Sequence, residues 1–121
     1  MKRDMDLILQ ILRDLEENCK PSSKYKETNY IVDPSVYNCD PDVLREHCTL
    51  IEERKLAEFS ICRGQVGFKR LTWEGHDFLD NANDATLWNA AKKTAGNCSF
   101  TVFMKVLEGL ALQAALKAAG L

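Results

Sequence analysis

The stretch FKRLTWEGHDFLD, Phe68 to Asp80, decides the fold. Its first four residues have strand character and its last eight have helical character, with Thr72 between them. A threonine there serves as an N-cap, its hydroxyl accepting an N–H from the first helical turn. The spacing predicts a helix from Thr72 whose inward residues are Trp73, His76, Phe78, Leu79 and Ala82. Immediately upstream, in AEFSICRGQVGFKRL, Phe59 and Ile61 alternate with polar neighbours, as do Val66 and Phe68. That alternation predicts a two-stranded hairpin, with Gly64 and Gly67 bracketing a polar tip and supplying the positive φ of a tight turn.

Moving outward, Asp40-Pro41 opens another helix: Asp40 caps it, and Pro41 occupies a position where a missing N–H costs nothing. Val43, Leu44, His47, Cys48, Leu50 and Ile51 give it an inward face, continuing through Leu56. Its outward face carries Asp42, Arg45, Glu46, Thr49, Glu52 and Glu53. Met5, Ile8, Ile11, Leu12 and Leu15 mark an amphipathic first helix that ends near Asn18. Residues 20–40 are broken by Pro21, Ser22, Ser23, Asn29, Asp33 and Pro34, and predict an extended connection. Strand composition there is confined to Tyr30-Ile31-Val32 and Val36-Tyr37.

Downstream, Asn83 or Asp84 caps a short helix carrying Leu87, Trp88 and Ala91, with Gly96-Asn97 as a left-handed stop. The last helix starts from Ser99. Its apolar residues, Phe103, Leu107 and Leu110 among them, cover more than one face. A helix apolar nearly all round must be buried on several sides, by the core or by a second copy of the chain or another protein. The expected organisation is a single domain, with residues 1–98 as its body and 99–121 as a packing or dimerisation helix. The fold class is α+β, mostly helical.

Composition narrows the function. Sixteen basic against eighteen acidic residues leave a formal charge of −2, so nucleic-acid binding would have to rest on a local patch. The five cysteines are odd in number, scattered and without a CxxC pair, which suits free thiols in the cytoplasm better than a disulfide framework. No run is apolar enough to span a membrane, since Lys105, Glu108 and Lys117 interrupt the longest one.

The order helix, connection, helix, hairpin, helix is that of a winged-helix domain, with the Asp40 helix in the recognition position and residues 57–71 as the wing. MKRDMDLI at the N-terminus, the Leu44, His47, Leu50, Ile51 spacing, and RLTWEGHDFLD followed by Asp84, Thr86, Leu87, Trp88 and Asn89 resemble a family of small bacterial and phage proteins. That family is known only as a domain of unknown function. The resemblance covers roughly residues 1–92. It implies a winged-helix-like fold and a phage or prophage setting, with no functional residues to carry over. At residues 52–56 the family has a helix-ending glycine where this chain reads Glu52-Glu53-Arg54-Lys55-Leu56.

Two functions are expected from this reading. The first is double-stranded DNA binding or regulation, with Arg45 and Thr49 on the helix and Arg63, Lys69 and Arg70 on the wing; Lys24 and Lys26 would add phosphate contacts. Against it stand Asp42, Glu46, Glu52 and Glu53 on the same face. The second is protein binding, for example a phage-encoded inhibitor of a host defence complex. It would act through Glu46, Glu52 and Glu53 and through the apolar surface of Phe103, Leu107 and Leu110. Homodimerisation through residues 99–119 is a separate expectation. No catalytic, cofactor or metal site is expected: Glu74, His76 and Asp77 diverge around a helix, and His47, Cys48 and Cys39 do not share a tetrahedral geometry. His76 with Asp80 lacks further ligands.

Overall fold

The computed structural model describes residues 1–18 and 30–121. The expected contributions of Lys24 and Lys26, and the Pro21, Ser22 and Ser23 breaks, lie outside the described residues. The chain is α+β and mostly helical, with one three-stranded antiparallel sheet among the described residues. The elements are α1 (Met5–Asn18), β1 (Tyr30–Val32), α2 (Pro34–Tyr37), α3 (Pro41–Glu53), β2 (Ala57–Cys62), β3 (Gln65–Leu71), α4 (Trp73–Ala82), α5 (Ala85–Ala95) and α6 (Phe100–Ala118). They form two compact units, residues 1–77 and 78–121. The boundary falls inside α4.

In the first unit the sheet order is β1-β3-β2. Val32, Phe59, Val66, Phe68 and Leu71 bury one face, and Phe59 and Phe68 meet edge to face at 5.9 Å. Leu44, His47, Cys48 and Ile51 of α3 and the apolar stripe of α1 complete this core. The hairpin turn is tighter than the sequence suggested. Cys62 pairs with Gln65, so only Arg63 and Gly64 form the turn, both at positive φ (52° and 79°). A two-residue turn of that hand follows the twist of the strands and favours glycine. Gly67 lies within β3, between Ile31 and Ser60, rather than at the tip.

Val36 and Tyr37, expected as strand, belong to the helical turn α2. Asp33 caps it by accepting from Ser35 N–H, and Pro34 sits at its first position. This is the same Asp-Pro signal that opens α3. The missing glycine after α3 is replaced by Lys55, which takes a left-handed φ of 59°. Lys55 N–H donates to Glu52 C=O at 2.9 Å and Leu56 N–H to Ile51 C=O at 3.1 Å, the Schellman arrangement that closes a helix.

Thr72 caps α4 as expected: its hydroxyl oxygen accepts from Gly75 N–H at 3.0 Å, and the hydroxyl donates to Lys55 C=O. The buried face of α4, however, is Gly75, Phe78, Leu79 and Ala82. Trp73 is 78% exposed and His76 is also exposed, so neither is a core residue. Gly75 is a contact point: a Cβ there would lie 1.9 Å from the Leu56 carbonyl oxygen.

In the second unit, Asp84 caps α5 and Ser99 caps α6. Gly96 ends α5 in a right-handed conformation, with no left-handed stop. Phe78 stands edge-on to Trp88 at 5.9 Å and stacks with Phe100 at 6.3 Å, and Trp88 meets Phe103 at 5.1 Å. Of α6 only Phe100, Phe103 and Leu107 are buried. The expectation that the core buries it on several sides is corrected: its final three turns hold no buried residue, Leu110 and Ala111 being half-buried.

Candidate binding surface

Three polar arrangements shape the first unit. His47, only 1% exposed, has both ring nitrogens engaged: Nε2 accepts from Asp4 N–H at 2.9 Å, and Nδ1 lies 2.8 Å from Val43 C=O. The backbone N–H can only donate, so Nε2 is unprotonated and Nδ1 carries the hydrogen. His47 therefore holds the start of α1 against α3 as a packing residue. Asp14 gathers the second arrangement, accepting from Tyr30 and Tyr37 hydroxyls (2.7 and 2.5 Å) and from Asn18 Nδ2 (2.6 Å). Burial, and then the Asp14 carboxylate, push the Tyr37 hydroxyl pKa well up, so it remains a donor. In the third, Glu52 reaches from α3 to accept Phe59 N–H at 2.8 Å. It does so where the β2–β3 register slips, leaving Lys69 as the extra residue of a bulge.

Among the described residues, those expected to contact DNA are not gathered into one cationic patch. Arg45 is bound to Asp42 one turn earlier on α3. Thr49 donates its hydroxyl to Arg45 C=O at 3.0 Å, inside its own helix. Arg70 is paired across the strands with Glu58 at 3.2 Å. Arg63 sits exposed in the hairpin turn, where the Arg45 guanidinium comes within 3.9 Å of the position a Gly64 Cβ would take. Arg45 and Arg63 are thus brought to one edge. Lys69 and Arg70 are toward the far end of β3, about 13 and 17 Å from Gln65 at the rise of an extended strand.

The acidic residues separate in the same way. Asp42, Glu46 and Glu53 project into solvent, whereas Glu52 is committed to Phe59 and is a structural residue. Phe103 and Leu107 are core residues of the second unit and cannot serve as surface contacts; Leu110 is half-buried. The apolar surface of α6 is instead Val102, Leu112 and Leu116, at 45%, 61% and 41% exposure.

Beside the hairpin tip lies an open groove of about 380 Å³. Ile31, Val32, Pro34, Pro41, Leu44 and Val66 form its apolar lining, with Asp33, Gly64 and Gln65 at its polar margin. Periodicity could not reveal it, because its walls come from four elements meeting at one end of the sheet. Asp33 is held below the usual carboxylate range by Ser35, so it is ionised at neutral pH.

Cys39, Cys48 and Cys98 carry free thiols. Burial, followed by Cys39 and Glu52, pushes Cys48 up to about 12, which leaves it an inert packing residue. Among the described residues no group of three or more His, Cys, Asp or Glu is placed to hold a metal ion, and no helix is long and apolar enough to cross a membrane. His76 lies on the surface with its Nδ1 3.6 Å from Glu16 Oε2.

No solved structure matches the chain. An uncharacterized protein of Haemophilus influenzae is 27% identical over 115 residues, covering 92% of each chain. The family model described as "Hypothetical protein (DUF2513)" matches residues 2–101, which include the capped α4, the hairpin and α3. The match takes in most of the chain, which therefore belongs to the DUF2513 family.

Proposed function

We propose that this chain is a non-catalytic protein-binding module of winged-helix type, gripping a basic surface of its partner with the exposed side of α3 and the adjoining hairpin tip. The order α1-β1-α2-α3-β2-β3 with sheet order β1-β3-β2 supports the winged-helix reading, in which α3 would hold the recognition position. Fold alone does not choose between DNA and protein. The observation that carries the choice is charge: Glu46 and Glu53 are exposed on α3, while Arg45 and Asp42, on the same side, are paired with each other. An acidic helix face is repelled by phosphates and attracted by the basic surfaces that bind them. A host nuclease whose nucleic-acid groove this chain occupies as a phage-encoded inhibitor is the form of partner this charge suits.

Duplex DNA is the second reading, favoured by Arg45 and Arg63 meeting at the hairpin tip. Fluorescence anisotropy with a labelled duplex at low salt separates the two. Protein binding through α3 predicts no duplex affinity tighter than about 100 µM, the weak limit of nonspecific binding. Micromolar binding that weakens steeply with salt and is lost in Arg45→Ala and Arg63→Ala would replace it with the DNA reading.

A further inference from the structure

The groove beside the hairpin tip has a chemistry of its own. Its two prolines stand at the first positions of α2 and α3, so they contribute ring carbons and no N–H donors. Gly64 carries no side chain to fill the mouth, and Ile31, 51% exposed, extends the apolar lining outward. A phosphate or sugar placed on the apolar lining would give up water for few partners, since the polar side chains, Asp33 and Gln65, stand only at its margin. An aliphatic side chain would be well accommodated, and a volume of about 380 Å³ is at the lower end of the range for binding clefts.

Among the described residues, Asp33 is the one ionised side chain lining the groove. One of its oxygens accepts from Ser35 N–H, and a carboxylate has acceptor capacity beyond one such bond. Asp40 and Asp42 are exposed nearby in sequence, at the start of α3. Across the mouth, Arg45 is held by Asp42, and Arg63 lies in the turn itself.

We infer that this groove receives a basic-aliphatic peptide segment of the protein partner, an aliphatic side chain on the apolar lining and a neighbouring lysine or arginine on Asp33. The inference rests on the protein-binding reading and names the segment it recognises. Charge complementarity at Asp33 and the mostly apolar lining select this occupant over an acidic or a purely polar one.

The test is an NMR titration of the ¹⁵N-labelled full chain with a short peptide alternating lysine and leucine. Control peptides carry serine in place of leucine, or glutamate in place of lysine. Shifts centred on Ile31, Val32 and Val66 are expected. Replacing leucine by serine in the peptide, or filling the mouth with Gln65→Trp, weakens binding about tenfold, equivalent to about 1.4 kcal/mol. Asp33→Asn preserves the α2 cap, since asparagine caps as well as aspartate, and weakens binding about threefold through lost charge.

An equal or stronger response to the glutamate peptide overturns the inference, as does no response at millimolar lysine-leucine peptide. Shifts confined to Glu46 and Glu53, equal for the leucine and serine peptides, overturn the groove while leaving the acidic-face reading intact. Displacement of the peptide from Ile31 and Val66 by a DNA duplex overturns both.

Discussion

The two units of this protein are held together by different forces. In residues 1–77 the decisive contacts are directional: His47 to Asp4, Asp14 to two tyrosines, Glu52 to the bulge at Phe59, and Thr72 to Lys55. In residues 78–121 they are aromatic: Phe78, Trp88, Phe100 and Phe103 form a contiguous set of ring contacts, and polar groups act mainly as helix caps. Hydrogen bonds fix geometry because they fail when misaligned; dispersion between rings tolerates rearrangement but rewards area. The unit that carries the proposed binding surface is the one whose shape is fixed by direction.

Substitutions should sort by this contrast. The largest loss is expected for Phe103→Ala, about 3–5 kcal/mol for removing a buried ring, with amide exchange accelerating through residues 78–121. Leu112→Ser, on the same helix but 61% exposed, should change stability by less than about 0.5 kcal/mol. Equal effects at the two positions would mean that the end of α6 is covered in solution.

Gly75→Ala comes next. In an ordinary helix interior this exchange stabilises by about 1 kcal/mol, yet here the new Cβ would collide with the Leu56 carbonyl. A net loss of about 2–3 kcal/mol is expected by chemical denaturation, and a gain would refute the close approach of α4 to the start of β2. His47→Phe keeps a ring but leaves Asp4 N–H without its acceptor; about 1–2 kcal/mol should be lost, with exchange fastest at the start of α1. The smallest effect has the opposite sign. Lys55→Gly relieves a left-handed lysine and should stabilise by up to about 1 kcal/mol, which would confirm that the position is the helix stop.

Much of the first unit was legible because its boundaries are chemical. Asp40-Pro41 and Thr72 announced helix starts, and period-two alternation announced β2 and β3. Asp33-Pro34 carried the same signal as Asp40-Pro41, but the β-branched and aromatic pair Val36-Tyr37 suggested a strand. Local capping prevailed over propensity. On α4 the tightest contact is made by a glycine, which contributes nothing to a hydrophobic pattern, so the apparent inward face shifted onto Trp73 and His76. On α6 uniform apolarity said that the helix needs cover without saying which turns have it.

The binding surface was legible only as a set of charges. Spacing placed Arg45, Glu46, Glu52 and Thr49 on one side of a helix, but not that Arg45 would be tied to Asp42 or Glu52 to a backbone N–H. Those pairings depend on the neighbouring turn and on a bulge that no single-strand pattern encodes. The groove at Ile31, Pro34, Pro41 and Val66 is a product of tertiary assembly.

The central claim is that the exposed acids of α3 hold a protein. Its most direct test is a quantitative pull-down from nuclease-treated bacterial lysate, comparing the wild-type chain with Glu46→Lys/Glu53→Lys. A partner with a basic surface should be enriched by the wild type and lost from the charge-reversed variant. The same partners recovered equally by both would contradict it.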